Sequence, residues 1–269
     1  MSGASTRWAL PTHDPWSTPF AETLLSKLDL RPGLTILDVA SGHGIPAFYV
    51  AEQVGPSGRV VAVDLSAGQV ARAHAIQGAS LPWLDFVCAD VRALPSRLGE
   101  QDRGEPFDRI TGNLSVMFFR PDRFATIRSL LDRLKPGGQL CLTFPSYGTF
   151  QSIWDRVDRE LLTRGHVVER ERFQAYLAER PSADDATAWL TQLGCERICV
   201  EEHPLEVESG VGAAFLWHSL LRGGFLDDVY ECFEDQKQAE ALMQSVADDV
   251  ATFRPIVALR CVMSGWTPQ

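Results

Sequence analysis

Apolar residues along this chain recur in two alternating rhythms. Leu34 to Val39 is a short apolar run of the kind a buried parallel strand makes. Ser41-Gly42-His43-Gly44 reads as a tight turn. Ile45 to Val54 then has helical periodicity, with Pro46 tolerated in the first turn, and Gly55-Pro56-Ser57-Gly58 ends it. The cycle repeats: a strand over Arg59 to Asp64, centred on VVAVD, is followed by a helix over Ala67 to Ile76. Further strands are predicted at Asp85 to Ala89 and Phe107 to Gly112. A helix over Pro121 to Leu134 is stopped by Lys135-Pro136-Gly137-Gly138, and a fifth strand runs from Gln139 to Phe144.

Beyond Ser146 the alternation weakens. Phe150 to Leu162, Glu169 to Ala178 and Ala183 to Leu193 look helical, and so do Val211 to Leu221 and Gln238 to Phe253. Glu196 to Glu202 and Ile256 to Met263 look like the last two strands. Before the first strand, Phe20, Leu24, Leu25 and Leu28 recur at helical spacing. Strands alternating with helices predict an α/β fold: a mostly parallel sheet of seven strands, doubly wound with helices on both faces. The expected organisation is a single domain, residues 1–269. Its core lies at about 30–146, 183–208 and 254–266, and a helical lid is drawn from 1–29, 147–182 and 209–253 at the sheet edge where such folds bind ligands.

Composition narrows this only modestly. The 269 residues are 45% hydrophobic and 22% charged, ordinary for a globular protein, with a formal net charge of -10. No run of Lys or Arg stands out, which argues against a nucleic acid substrate and gives no help in holding an anionic membrane. No apolar stretch reaches the length of a membrane span and the N-terminus does not read as a signal peptide, so cytoplasmic location is expected. Cys88, Cys141, Cys199 and Cys261 fall within apolar strands, and no pair has zinc-site spacing. Structural thiols and no metal are expected.

Candidate chemistry begins at ILDVASGHG, a strand, a glycine-containing turn and a helix. Gly42 and Gly44 let the backbone approach a ligand, and the helix start behind them offers free amides. The spacing is AxGxG from Ala40, not the GxGxxG of dinucleotide enzymes, and Asp38 would repel a pyrophosphate. Asp64 ends the second strand about twenty residues on, where a carboxylate can accept bonds from two ribose hydroxyls. Asp90 and Val91 end the third strand in FVCADVRALP. The fourth strand leads into Asn113 and Leu114 in FDRITGNLSVMFFRPD, ahead of LKPGG, whose glycines serve a turn.

From about Leu30 to Phe144 the chain resembles the class I, Rossmann-like methyltransferases that use S-adenosylmethionine. The likeness is to the small-molecule group that contains the ubiquinone- and menaquinone-biosynthesis enzymes. The resemblance implies cofactor contacts at Asp38, Ala40, Ser41, Gly42, Gly44, Asp64, Leu65, Asp90, Val91, Asn113, Leu114 and Trp16, with S-adenosylhomocysteine as product. In that pattern Asp38 faces the cofactor's ammonium group and the backbone near Asn113 and Leu114 offers it a carbonyl. Asp90 and the Val91 amide read the adenine, and Trp16 belongs to an N-terminal segment that closes over the cofactor. Two departures stand out: Ala40 replaces the usual first glycine, and His43 stands where Thr is common.

Methyl transfer is an in-line displacement that needs alignment and, for some nucleophiles, a base. No universal catalytic residue exists to search for. Tyr147, directly after the fifth strand, and His218, beside Phe215 and Trp217, are the candidate catalytic residues; Trp16 and Phe20 join them as aromatic candidates, and His13, His166 and His203 have weaker claims. Aromatic residues in the lid segments suggest a small apolar or aromatic acceptor. The alternatives are an NAD-dependent oxidoreductase, which would need GxGxxG, and a non-catalytic protein that binds S-adenosylmethionine. The acceptor atom and the oligomeric state stay open.

Overall fold

The computed structural model describes residues 8–11, 14–98, 104–207, 227–249 and 256–269. Helix α1 (Ser17–Lys27) precedes β1 (Thr35–Val39), α2 (Ala47–Val54), β2 (Arg59–Asp64), α3 (Ala67–Gln77) and β3 (Leu84–Cys88). A 3₁₀ turn at Val91–Ala93 leads to β4 (Phe107–Gly112), a second at Val116–Phe119 leads to α4 (Arg123–Leu131), and β5 (Leu134–Pro145) follows. Then come α5 (Gln151–Thr163), α6 (Val167–Ala178), α7 (Ala183–Gln192), β6 (Glu196–Val207), α8 (Asp227–Glu231), α9 (Gln236–Asp249) and β7 (Ile256–Trp266).

The seven strands form one sheet in the order β3-β2-β1-β4-β5-β7-β6. β3, β2, β1, β4 and β5 pair in parallel. Hydrogen bonds from Thr267 to Gly138 and from Ser146 to Leu259 run β7 antiparallel to β5. The order reverses beside β1, between β2 and β4, so the ends of these strands open on a crevice.

Strand alternation divides the core. Leu37, Val39, Val61 and Val63 face one way and pack with α4 and α7 through Ile127, Leu130, Ala186 and Leu190. Ile36, Val60 and Ala62 face α2 and α3 through Val50, Ala51, Val70 and Ala73. Helix α1 lays Leu24 and Leu28 against Cys141 of β5 and Val262 of β7.

The chain divides into two compact units: Met1–Phe144 with Ala183–Glu202 and Cys261–Gln269, and Pro145–Ser182 with His203–Arg260. In the second, Trp154 and Phe173 pack with centroids 6.0 Å apart, and the Arg180 guanidinium lies 5.6 Å over Trp154 while donating to the Thr149 carbonyl.

Three expectations are corrected. The predicted stop at Lys135-Pro136-Gly137-Gly138 lies inside β5, because Gly137 and Gly138 bond to Pro268 and Thr267 just past β7. Helix α4 ends earlier than read, at Leu131. Cys88 is exposed, at the open end of β3.

Candidate functional site

The glycine turn is held from several sides. Ser41 donates its backbone N–H to the Val63 carbonyl, and Gly42 donates to Asp64 Oδ2 at 2.8 Å. Asp64 Oδ1 accepts from Ser66 N at 2.9 Å, so one carboxylate ties the turn to the start of α3. Ser66 itself caps that helix, accepting from Gln69. Gly44 has φ +107, and a Cβ there would lie 2.4 Å from the Phe48 ring; a Cβ on Gly42, at φ +55, would meet nothing within 4 Å. The turn is therefore packed behind Gly44 and open in front of Gly42. Ala40 stands in the left-handed region at φ 52, the conformation that makes glycine usual there.

Asp38 is fully buried on the face it shares with Ile36. Its Oδ1 accepts from the Thr111 hydroxyl at 2.8 Å, while Oδ2 has no hydrogen-bond partner among the described residues. Burial pushes this carboxyl up to about 7, opposed by the Thr111 bond and reinforced by the neighbouring charge of Asp64. The buried Ser41 hydroxyl is likewise without a partner among the described residues. A buried carboxylate oxygen with no donor is costly, and it marks a place where a cationic or donor group would be welcome.

At the end of β3, Asp90 caps the Val91–Ala93 turn and is gripped by Arg92, whose Nη2 lies 2.7 Å from Oδ2. That guanidinium holds the Asp90 carboxyl below the usual carboxylate range. Val91 is buried, whereas Leu65, just past Asp64, is 64% exposed. At the end of β4, Asn113 is buried and Leu114 takes a left-handed φ of 54. Trp16 is buried at the start of α1, 5.1 Å from the Phe20 ring, with its N–H on Asp14 Oδ1.

The structure thus brings Asp38, Ala40, Ser41, Gly42, Asp64, Asp90, Asn113 and Leu114 to the C-terminal ends of four adjacent parallel strands. Behind the turn, Trp8 stacks on Phe48 at 4.6 Å and helps to line a cavity of about 260 Å³ with His43, Tyr49 and Ile76. Burial, and then the charge of Arg72, lowers the His43 imidazole below its ordinary value. Tyr147 belongs to the second unit; it is 54% exposed and its N–H bonds to the Pro181 carbonyl. His218, with His13, Phe215 and Trp217, lies outside the described residues. Sequence reasoning missed Thr111 and Thr143. Their signal was a hydroxyl residue at a buried position of a predicted strand.

Residues 36–138 match a family described as "Methyltransferase domain". This stretch is a class I, S-adenosylmethionine-dependent methyltransferase domain. The nocamycin O-methyltransferase of Saccharothrix syringae is 36% identical over 131 residues, 47% of this chain and 43% of that protein. The demethylmenaquinone methyltransferase of Lactococcus lactis is 31% identical over 138 residues, 51% of this chain and 50% of that protein. A tRNA (guanine(6)-N2)-methyltransferase of Thermus thermophilus is 34% identical over 126 residues, 45% of this chain and 37% of the relative. This chain therefore spans half or less of the length of these relatives. The exclusion of nucleic acid expected from net charge gains no support from these relatives, one of which is named for tRNA. Among solved structures, the [4+2]-cyclase SpnF has a TM-score of 0.56 at 19% identity, covering 93% of this chain and 81% of its own. A Haemonchus contortus phosphoethanolamine N-methyltransferase, solved with S-adenosylhomocysteine, has a TM-score of 0.55 at 15% identity, covering 94% of this chain and 53% of its own. These two share the fold. No helix among the described residues is long and apolar enough to cross a membrane.

Proposed function

We propose that the protein transfers a methyl group from S-adenosylmethionine to a small apolar or aromatic acceptor. The observation that carries this reading is Asp38: a buried carboxyl with one unsatisfied oxygen, beside a glycine turn braced by Asp64. An ammonium group suits that oxygen, and a pyrophosphate does not. Leu65 offers an exposed apolar surface next to Asp64, which fits the flat ring of an adenosine whose ribose hydroxyls Asp64 accepts. Asp90 and the Val91 amide present an acceptor and a donor to the adenine edge. Arg92 already donates to Asp90 from its backbone N, Nε and Nη2, which leaves about one of the carboxylate's four or so lone-pair sites for an adenine donor.

When bound, the cofactor supplies an electrophilic methyl group on a sulfonium. The residues here hold and orient it: Asp38 and the backbone at Asn113 and Leu114 the amino-acid end, Gly42 by close backbone approach, Ala40 and Ser41 by the shape of the turn. Gly44 seats α2 behind that turn. Trp16, anchored on Asp14, excludes water from the N-terminal side. Tyr147, two residues beyond β5, and His218 are the proposed catalytic residues, from the sequence alone.

Calorimetry with S-adenosylhomocysteine and, separately, NADH tests the cofactor. Micromolar binding of the first and none of the second is expected, and the reverse would overturn the reading. A screen of small acceptors, with tRNA included, against labelled S-adenosylmethionine tests the acceptor class; label appearing only in tRNA would replace the small-molecule reading.

A further inference from the structure

We propose that Thr143 is a positioning residue for the amino-acid end of the cofactor. From β5 it fixes the shape of the β4 terminus and, through Asn113, ties that terminus to the first helix. The proposal rests on the reading above that the Asn113–Leu114 backbone faces the cofactor's ammonium group.

Thr143 is fully buried between Leu142 and Phe144 in a strand whose neighbours are apolar. A hydroxyl in such a place is unfavourable unless both its donor and its acceptor are used. Here both are. Leu114 N donates to Thr143 Oγ1 at 3.0 Å, the hydroxyl donates to Asn113 Oδ1 at 2.8 Å, and Asn113 Nδ2 donates to the Ser17 carbonyl at 3.0 Å. The relay can run only in this direction. A backbone N–H cannot accept and a backbone carbonyl cannot donate, so the two ends fix the hydroxyl proton and the carboxamide orientation between them. The Thr143 carbonyl also accepts from Ser115 N at 3.0 Å, and the Ser115 hydroxyl donates to the Gly112 carbonyl at 2.9 Å.

The relay acts on a strained piece of backbone. Leu114 is a branched residue in the left-handed region, and such residues persist only where their surroundings over-determine them. The Thr143 hydroxyl holds the Leu114 N–H and the Thr143 carbonyl holds the next one. Without these bonds the chain after Gly112 would relax toward an ordinary φ, and the carbonyls at Asn113 and Leu114 would turn. The far end of the relay reaches the first residue of α1, directly after the buried Trp16. A single side chain on β5 thus sets two elements that converge on the proposed ammonium site.

The test compares S-adenosylhomocysteine with 5′-methylthioadenosine, which keeps the adenosine and lacks the amino acid. Thr143→Val preserves shape and removes the relay; Thr143→Ser preserves the relay. Affinity for S-adenosylhomocysteine is expected to fall about tenfold or more in Thr143→Val, with methylthioadenosine binding within about twofold of wild type and Thr143→Ser close to wild type for both. Asn113→Asp, which has no donor for the Ser17 carbonyl, should speed amide exchange in α1 without unfolding the protein. Equal weakening of both ligands in Thr143→Val would show a general structural role and overturn the proposal, as would unchanged binding of both. Failure of the wild-type protein to bind either ligand would overturn the reading of the site, and the proposal with it.

Discussion

Two residues of the turn carry conflicts that make measurable predictions. Ala40 holds a left-handed φ of 52, which costs a residue with a Cβ about 1–2 kcal/mol. Glycine relieves that cost but has more freedom to lose on folding, so Ala40→Gly should stabilise the protein by about 1 kcal/mol. In thermal unfolding this is a rise of roughly 2–4 °C; a fall would contradict the backbone geometry. Asp38 couples the site to pH. Its carboxyl titrates at about 7 in the folded protein against an ordinary value of 3.8, so the folded state keeps a proton that the unfolded chain releases. The contribution to stability is complete below about pH 4 and is lost as pH rises through about 7. Urea unfolding of the ligand-free protein should therefore show Asp38→Asn gaining on wild type between pH 5 and pH 8. The same variant should bind S-adenosylhomocysteine about 10–100-fold more weakly, the scale of a charged hydrogen bond. Parallel pH profiles for the two proteins would remove Asp38 from this role.

Among the elements, the turn between β1 and α2 separates packing from binding. A methyl group on Gly44 would enter the Phe48 ring, which stacks on Trp8 and lies 5.4 Å from Phe86. Gly44→Ala should destabilise by about 2–3 kcal/mol through overpacking and backbone strain. Gly42→Ala has open space in front of it, so its cost to folding should be smaller and its effect should appear in cofactor affinity. Denaturation and calorimetry on the two variants check the contrast; equal losses of stability would refute it. The strands themselves were legible from the chain. Arg59–Asp64 lies where its apolar run and flanking turn residues put it, because buried parallel strands need continuous apolar stretches, and Phe107–Gly112 also lies where a strand is predicted. The start of β5 was not legible: Lys-Pro-Gly-Gly is a turn by composition, and pairing of Leu134 with Phe107 of β4 and of the glycines with residues past β7 draws it into the sheet. For the same reason the carboxylates Asp38, Asp64 and Asp90 could be read from strand ends. Thr111 and Thr143 showed only as hydroxyl residues within predicted strands; their partners, more than two dozen residues away, leave no periodic trace.

For the molecule as a whole, binding should appear as stability. A ligand that binds only the folded protein adds about 2.7 kcal/mol at a hundred times its dissociation constant. S-adenosylhomocysteine at that excess should thus raise the melting temperature by roughly 5–10 °C, and NADH should leave it unchanged. A thermal-shift titration in which the two ligands act alike would argue against the cofactor assignment.

The family match ends at residue 138, while the first compact unit keeps its continuous run of chain to Phe144. The proposed cofactor residues from Trp16 to Leu114, together with Thr143, all fall within that run. In terms of inheritance, they form one linkage group. A single crossover after Phe144 would pass the entire cofactor floor, its brace and its relay to a descendant from one parent. Residues 183–202 and 261–269 complete the same unit and would have to match that parent, so only the second unit, residues 145–182 and 203–260, could be exchanged without reassembling the part proposed to hold the methyl donor.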